Sequence, residues 1–206
     1  MQMSKPNPQT EADAHALLVE RTFGHLAVNG PEGPMIALVP FLVESAPGSL
    51  SISTHLNRSH PMLSVLGDGA PAVLTCLSGD SYVSPDWYGL PEQVPTWIYD
   101  GVEARGVLRV MDCALTSDHL DRLSAQFEGR LEGKAAWTRA NLSEKRWHAL
   151  LRGLVPVELS DIRLTGLRKT AQAKPDAARR SVAKAMLKAG LPGAAAMAPL
   201  LTGSSP

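Results

Sequence analysis

Apolar residues first recur at helical spacing. Ala14, Leu17 and Leu18 share one face of a segment that begins at Thr10, with Glu11 and Asp13 at its dipole-positive end, and closes near Glu20. From Gly24 the period shortens. HLAVNG, PMIALVPFLVE and GSLSISTHL are short apolar or alternating runs, separated by Gly30-Pro31, Gly33-Pro34 and Pro47-Gly48, and they predict an antiparallel meander. A short helix is expected after His60-Pro61. PAVLTCLSG reads as a strand running on towards Tyr82–Ser84, and VPTWIYDGVEARGVLRVM as a further pair. About six strands thus precede residue 112, and their spacing favours a small barrel over a parallel α/β sheet.

The second half mixes both periods. Leu115 to Glu128 carries a helical stripe at 115, 120, 123 and 127. Ser143 to Leu151 predicts another helix, with Leu142, Trp147, Leu150 and Leu151 available for packing. LVPVELSDIRLTGL alternates through Val155, Val157, Leu159, Ile162 and Leu164, as a closing strand with a bulge near Asp161 would. PDAARRSVAKAMLKAG has helix start and stop signals at Pro175, Asp176 and Gly190. The fold class is mainly β with flanking helices (α+β). The expected organisation is a flexible arm over 1–9, a barrel domain with helical insertions over 10–174, a helix over 175–190 and a tail over 191–206. That tail, small, apolar and broken by Pro and Gly, is either mobile or packed on a partner subunit.

Composition narrows the partners. The chain has 206 residues and 22.0 kDa, and its 20 basic and 20 acidic residues cancel. A protein built to grip phosphate backbones shows a basic excess, so DNA binding is not supported by charge. Cys76 and Cys113 form no CxxC pair and read as buried thiols in a reducing cytosol. The N-terminus lacks a signal-peptide pattern, and no run approaches the ~18 apolar residues of a membrane span. A soluble, cytoplasmic protein is expected.

Candidate chemistry concentrates in three places. Ser81 to Tyr99 holds Tyr82, Trp87, Tyr88, Trp97 and Tyr99, half of the chain's aromatic residues, divided by Pro85, Pro91 and Pro95. Aromatics on a rigid non-helical scaffold suit a wall for a flat ligand; a core edge beside a structured loop is the equal alternative. The turn His55, Asn57, Arg58, Ser59, His60 could clamp a phosphate through Arg58, or be a solvated turn. Arg168, Lys169 and Gln172 form a second cationic element, or a linker to the basic helix of Arg179, Arg180, Lys184 and Lys188. His15, His25, His119 and His148 are scattered, without metal-ligand spacing, and Ser84 lacks a nucleophile elbow. No metal site is expected, and the catalytic residues are left unassigned.

The segments GPMIALVPFLV, THLNRSHP, SYVSPDWY, VPTWIYDGVEARG, LRGLVPVEL and RKTAQA resemble, in order and spacing, the PaiB-type FMN-binding split-barrel proteins, often labelled negative transcriptional regulators. The resemblance covers roughly residues 10–185. It implies an FMN-binding split β-barrel homodimer with the flavin in a cleft between subunits. By position, His55 and Arg58 match the family's His-x-x-Arg turn near the phosphate and ribityl, and Lys169 and Gln172 its Lys-x-x-Gln element. Pro40 and Phe41 match the strand beside the isoalloxazine. Tyr82, Ser84, Trp87 and Trp97 match the aromatic segment, which reaches the cofactor of the other subunit.

Five positions depart from that pattern. Leu38 stands where a His is usual, Ile98 for an Asn, Glu103 for a His, Ala171 for a Ser and Ala173 for an Asn. Each lost bond to a buried ligand costs ~1 kcal/mol or more, which predicts weaker FMN binding or a different flat ligand. Three functions follow: an FMN-dependent protein, such as a flavin reductase-like oxidoreductase; a PaiB-type transcriptional regulator; or a non-catalytic dimer holding another flat ligand.

Overall fold

The computed structural model describes residues 9–46 and 48–203. The arm expected over 1–9 therefore lies, apart from Gln9, outside the described residues. Helix α1 (Glu11–Arg21) buries Ala14, Leu17 and Leu18, the face its spacing predicts. Strands β1 (Phe23–Gly30) and β2 (Gly33–Pro40) form a hairpin closing at Gly30 and Gly33. Strands β3 (Leu42–Ala46) and β4 (Ser49–Asn57) form the next hairpin, and a 3₁₀ turn at Pro61–Val65 follows His60-Pro61 as expected. Then come β5 (Ala70–Val83), β6 (Thr96–Val110), α2 (Thr116–Glu128), α3 (Glu144–Arg152), β7 (Leu154–Lys169), α4 (Asp176–Ala189) and α5 (Ala194–Thr202).

The seven strands form one sheet in the order β2-β1-β5-β6-β7-β4-β3. This is not the simple meander read from the turns. The run PMIALVPFLVE is two strands, interrupted at Phe41. Only that residue separates β2 from β3, yet they stand at opposite ends of the strand order. Six strand spacings of about 4.8 Å amount to about 29 Å, whereas two chain steps span about 7.6 Å. The sheet therefore has to curl until its ends meet. Thr54 Oγ1 donates to Pro40 O at 2.6 Å where the end of β2 approaches β4.

The stretch VPTWIYDGVEARGVLRVM also differs from expectation: it is one strand, not a pair. Its Asp-Gly step resembles a turn signal, but Gly101 is buried. A Cβ there would meet a Leu77 methyl at 2.6 Å and Cys76 O at 2.9 Å, so close approach of neighbouring backbone requires the glycine.

The chain divides into two compact units. The barrel unit comprises Thr22–Thr75 and Ala104–Arg163, with Leu26, Phe41, Ile52, Leu74, Leu108 and Leu159 fully buried in its core. Its β7 residues Val155, Val157 and Leu159 point inward as the alternation predicts, and Asp161 takes φ +56 where an irregularity was expected. The α2 stripe is displaced. Thr116, His119 and Leu123 are buried while Leu115 is exposed.

The helical unit comprises Met1–Arg21, Cys76–Glu103 and Leu164–Pro206. Here Ala194–Thr202, within the segment read as a tail, forms α5 and packs on its own chain. Val83, Tyr88 and Ile98 share a core with Val182 and Met186 of α4 and Met197 and Leu201 of α5. Gly193 starts α5 at φ +75, and a Cβ there would lie 1.8 Å from Asp80 O.

Candidate functional site

In the barrel unit the residues of interest gather at the end of β4. Asn57 Oδ1 accepts from Ser59 N at 2.9 Å and from Ser59 Oγ at 2.7 Å, which turns the chain tightly after the strand. Arg58 reaches the junction of α3 and β7. Its Nε donates to Arg152 O at 2.7 Å and its Nη2 to Leu154 O at 3.1 Å. These bonds fix the guanidinium plane, and Nη1 keeps no partner among the described residues.

His55 is half-buried. Its Nδ1 lies 3.2 Å from Nε2 of His119, whose Nδ1 lies 3.3 Å from Ser53 Oγ. The rings meet edge to face, 5.4 Å between centroids. Burial lowers the pKa of His55. His119, 3% exposed, is pushed down to about 4, chiefly by burial, then by His55 and Arg122, against the opposing pull of Glu44 and Asp118. Both imidazoles are thus neutral near pH 7. Sequence reading left His119 among scattered histidines. Its spacing from Thr116 and Leu123 marks α2's buried face, but nothing local pairs it with a strand residue so distant in the chain.

Pro40 borders the same strand end through its carbonyl bond to Thr54. Phe41 is fully buried, so its ring packs in the core and offers no face to a ligand of its own chain.

In the helical unit Tyr82 sits between two tryptophans. Its ring lies 6.4 Å from Trp87 and 6.2 Å from Trp97, both edge to face. Trp97 is 55% exposed, whereas Tyr82 and Trp87 are half-buried, with Trp87 packed against the core of its unit. Ser84 opens the 3₁₀ turn that carries Trp87, its carbonyl accepting from Trp87 N at 3.2 Å. Lys169 Nζ donates to Thr96 Oγ1 at 2.7 Å, beside Trp97 in the chain. Gln172 Oε1 accepts from Thr170 N at 2.9 Å, shaping the turn where Ala171 takes φ +53. Arg168 does not join Lys169 in one cationic element. Strand alternation sends it to the buried carboxylate of Asp100 at 2.7 Å, which also takes Ser78 Oγ at 2.8 Å and Gln9 Nε2.

The departures now have places. Ile98 is fully buried in the helical unit's core, and Ala171 packs against that core. These two are packing positions in this chain. Leu38 is 61% exposed on β2, Ala173 is exposed and Glu103 half-buried.

The model of the family described as "Putative FMN-binding domain" matches residues 1–161. The chain belongs to this FMN-binding family. PaiB-type proteins are of this kind, and the cofactor is a flavin, FMN most directly. No curated protein matches by sequence. Among solved structures, the FAD- and haem-binding protein from Mycobacterium smegmatis is 18% identical with a TM-score of 0.54, over 79% of this chain and 73% of that one. The flavocytochrome Anf3 from Azotobacter vinelandii is 14% identical with a TM-score of 0.54, over 78% and 68%. The conserved protein Rv2991 from Mycobacterium tuberculosis is 15% identical with a TM-score of 0.58, over 85% and 94%. These likenesses establish a shared fold, the split barrel with flanking helices. Among the described residues no helix is long and apolar enough to cross a membrane.

Within the barrel unit, Nη1 of Arg58 and the imidazole of His55 are of the donor type that a phosphate takes.

Proposed function

We propose that this FMN-binding-domain protein holds the FMN phosphate through Arg58 and His55 and uses the cofactor as a flavin reductase-like oxidoreductase. The observation that carries the reading is the end of β4. There Arg58 is locked by two backbone carbonyls with Nη1 left over, beside a neutral imidazole. A planar cation fixed in advance loses little freedom when a phosphate arrives. Lys169, Gln172, Pro40, Ser84, Tyr82, Trp87 and Trp97 are proposed, residue by residue, as further flavin contacts. Bound FMN would supply hydride and single-electron transfer; the protein's residues orient it and neutralise its phosphate.

Purified protein should show flavin bands between 350 and 500 nm, or acquire them on titration with FMN. No bands and no titration at micromolar protein would sink the reading. Arg58→Ala should weaken FMN by roughly 10- to 100-fold, the range for a bond to a charged group, and riboflavin far less. Equal losses would remove Arg58 from the phosphate.

A homodimer belongs to the same proposal. Phe23, Ile36 and Leu38 are 54%, 62% and 61% exposed on the outer face of the β1–β2 hairpin, where His25 pairs with Leu38 and Ala27 with Ile36. An exposed apolar face of this kind suits a second copy. Light scattering should give a dimer mass, and Ile36→Lys a monomer. A cytoplasmic location fits two thiols outside any disulfide, Cys76 buried as expected and Cys113 exposed, contrary to expectation.

One observation favours the regulator as a second reading. Arg180, Lys184 and Lys188 are exposed at helical spacing along α4. Salt-dependent binding to promoter DNA would support it, and no binding at low salt would dismiss it.

A further inference from the structure

The Ser53–His119–His55 chain lies wholly inside the barrel unit, and the family match does not account for it. Ser53 is 2% exposed and His119 3%. Among the described residues, the one hydrogen-bond partner of Ser53 Oγ is His119 Nδ1. Two proton arrangements satisfy the two short contacts. In one, Ser53 donates to Nδ1 of His119, whose Nε2–H donates to Nδ1 of His55, leaving the single proton of His55 on Nε2. In the other every bond is reversed, and the buried Ser53 hydroxyl proton has no acceptor. An unpaired buried hydroxyl disfavours the reversed chain by roughly 5- to 150-fold. His55 Nε2 has no partner among the described residues, and it is not among the fully enclosed unsatisfied atoms, so it keeps some access to solvent or ligand.

We infer that Ser53 and His119 are positioning residues that hold His55 uncharged and turn its one N–H outward as a hydrogen-bond donor for the phosphate or ribityl end of the flavin. The inference rests on the reading of His55 as a flavin contact. It divides the work of recognition: Arg58 contributes the charge, and His55 a directed neutral bond. The groups facing His119 are His55 from β4, Arg122 and Asp118 from α2, and Glu44 from β3. Arg122 Nη1 is paired with Glu44 at 2.9 Å, so the strongest local charges are held together outside the chain of bonds. Protonating either imidazole would place two N–H groups against each other or strand the Ser53 proton.

The test uses the full-length protein with ¹⁵N-labelled histidine, read by long-range ¹H–¹⁵N correlation between pH 5 and 8, alongside FMN titration. At pH 6 the native protein should show His55 and His119 neutral, each with its proton on Nε2. A cationic His55 at pH 6, or one protonated on Nδ1, would overturn the inference. Ser53→Ala should yield mixed tautomers and, by reducing the competent fraction, a roughly two- to fivefold loss of FMN affinity. Ser53→Thr, which keeps the hydroxyl, should restore a single tautomer. A single Nε2–H form in Ser53→Ala would show that Ser53 does not set the direction. If the tautomers behave as stated and FMN does not bind, the positioning stands and the flavin reading alone fails.

Discussion

Replacing Ile98 by Asn, the residue usual in PaiB-type proteins, tests whether this position packs the core or faces the cofactor. Ile98 is fully buried with Val83, Tyr88, Met186 and Met197. Removing its side chain from that core forfeits about 1.5–3 kcal/mol of burial. The new amide adds about 1–3 kcal/mol, because the cluster is apolar apart from the Tyr88 hydroxyl and leaves most of the amide's hydrogen-bonding capacity unmet. The total is roughly 2.5–6 kcal/mol. With an m-value of about 2 kcal/mol/M, the urea midpoint should fall by about 2 M. Tryptophan fluorescence reports the transition, because Trp87 packs against the same cluster. A midpoint within about 0.5 M of the native one, with tighter FMN binding, would refute the packing explanation and return Ile98 to the ligand site.

Acid stability should depend on His119. Its folded pKa of about 4 lies below the ordinary 6.5, so between these values the unfolded chain binds more protons. The penalty is absent above about pH 6.5, grows as pH falls through this window to the order of 3 kcal/mol, and levels off below it. His119→Phe should flatten that slope, at some cost at neutral pH from the stranded Ser53 hydroxyl; an unchanged slope in urea titrations at pH 4.5 and 7 would count against it. Arg168→Met strips the charged partner from a carboxylate with only 3% side-chain exposure, and should cost roughly 3 kcal/mol in chemical denaturation. Gly193→Ala combines a positive φ with overlap on Asp80 O, so loss of more than about 2 kcal/mol is expected; native-like melting would mean the α5 start can shift.

Much of the element order was legible locally. The α1 face, the β7 alternation, the 3₁₀ turn after Pro61 and the α4 boundaries follow from period and capping, which are properties of neighbouring residues. The split-barrel family was legible from spaced motifs, and the match over residues 1–161 bears this out. Misreadings arose where one residue type serves two purposes. Gly101 after an Asp resembles a turn but permits close backbone contact, and the small residues of α5 resemble a loose tail until α4 supplies their packing surface.

The sequence by itself determined most of the strand and helix segments, α5 and the bounds of β2, β3 and β6 excepted, and which segments carry cationic or aromatic chemistry, because alternation, capping and turn residues act within a few positions. Only the tertiary structure decided partnership. It placed β2 and β3 at opposite ends of the strand order, sent Arg168 to Asp100 and left Lys169 on the other face. It also brought His119 against His55 and put Ile98 beneath two helices. Hydrogen bonds and packing depend on distances of a few ångströms between residues far apart in the chain. No local pattern encodes those distances.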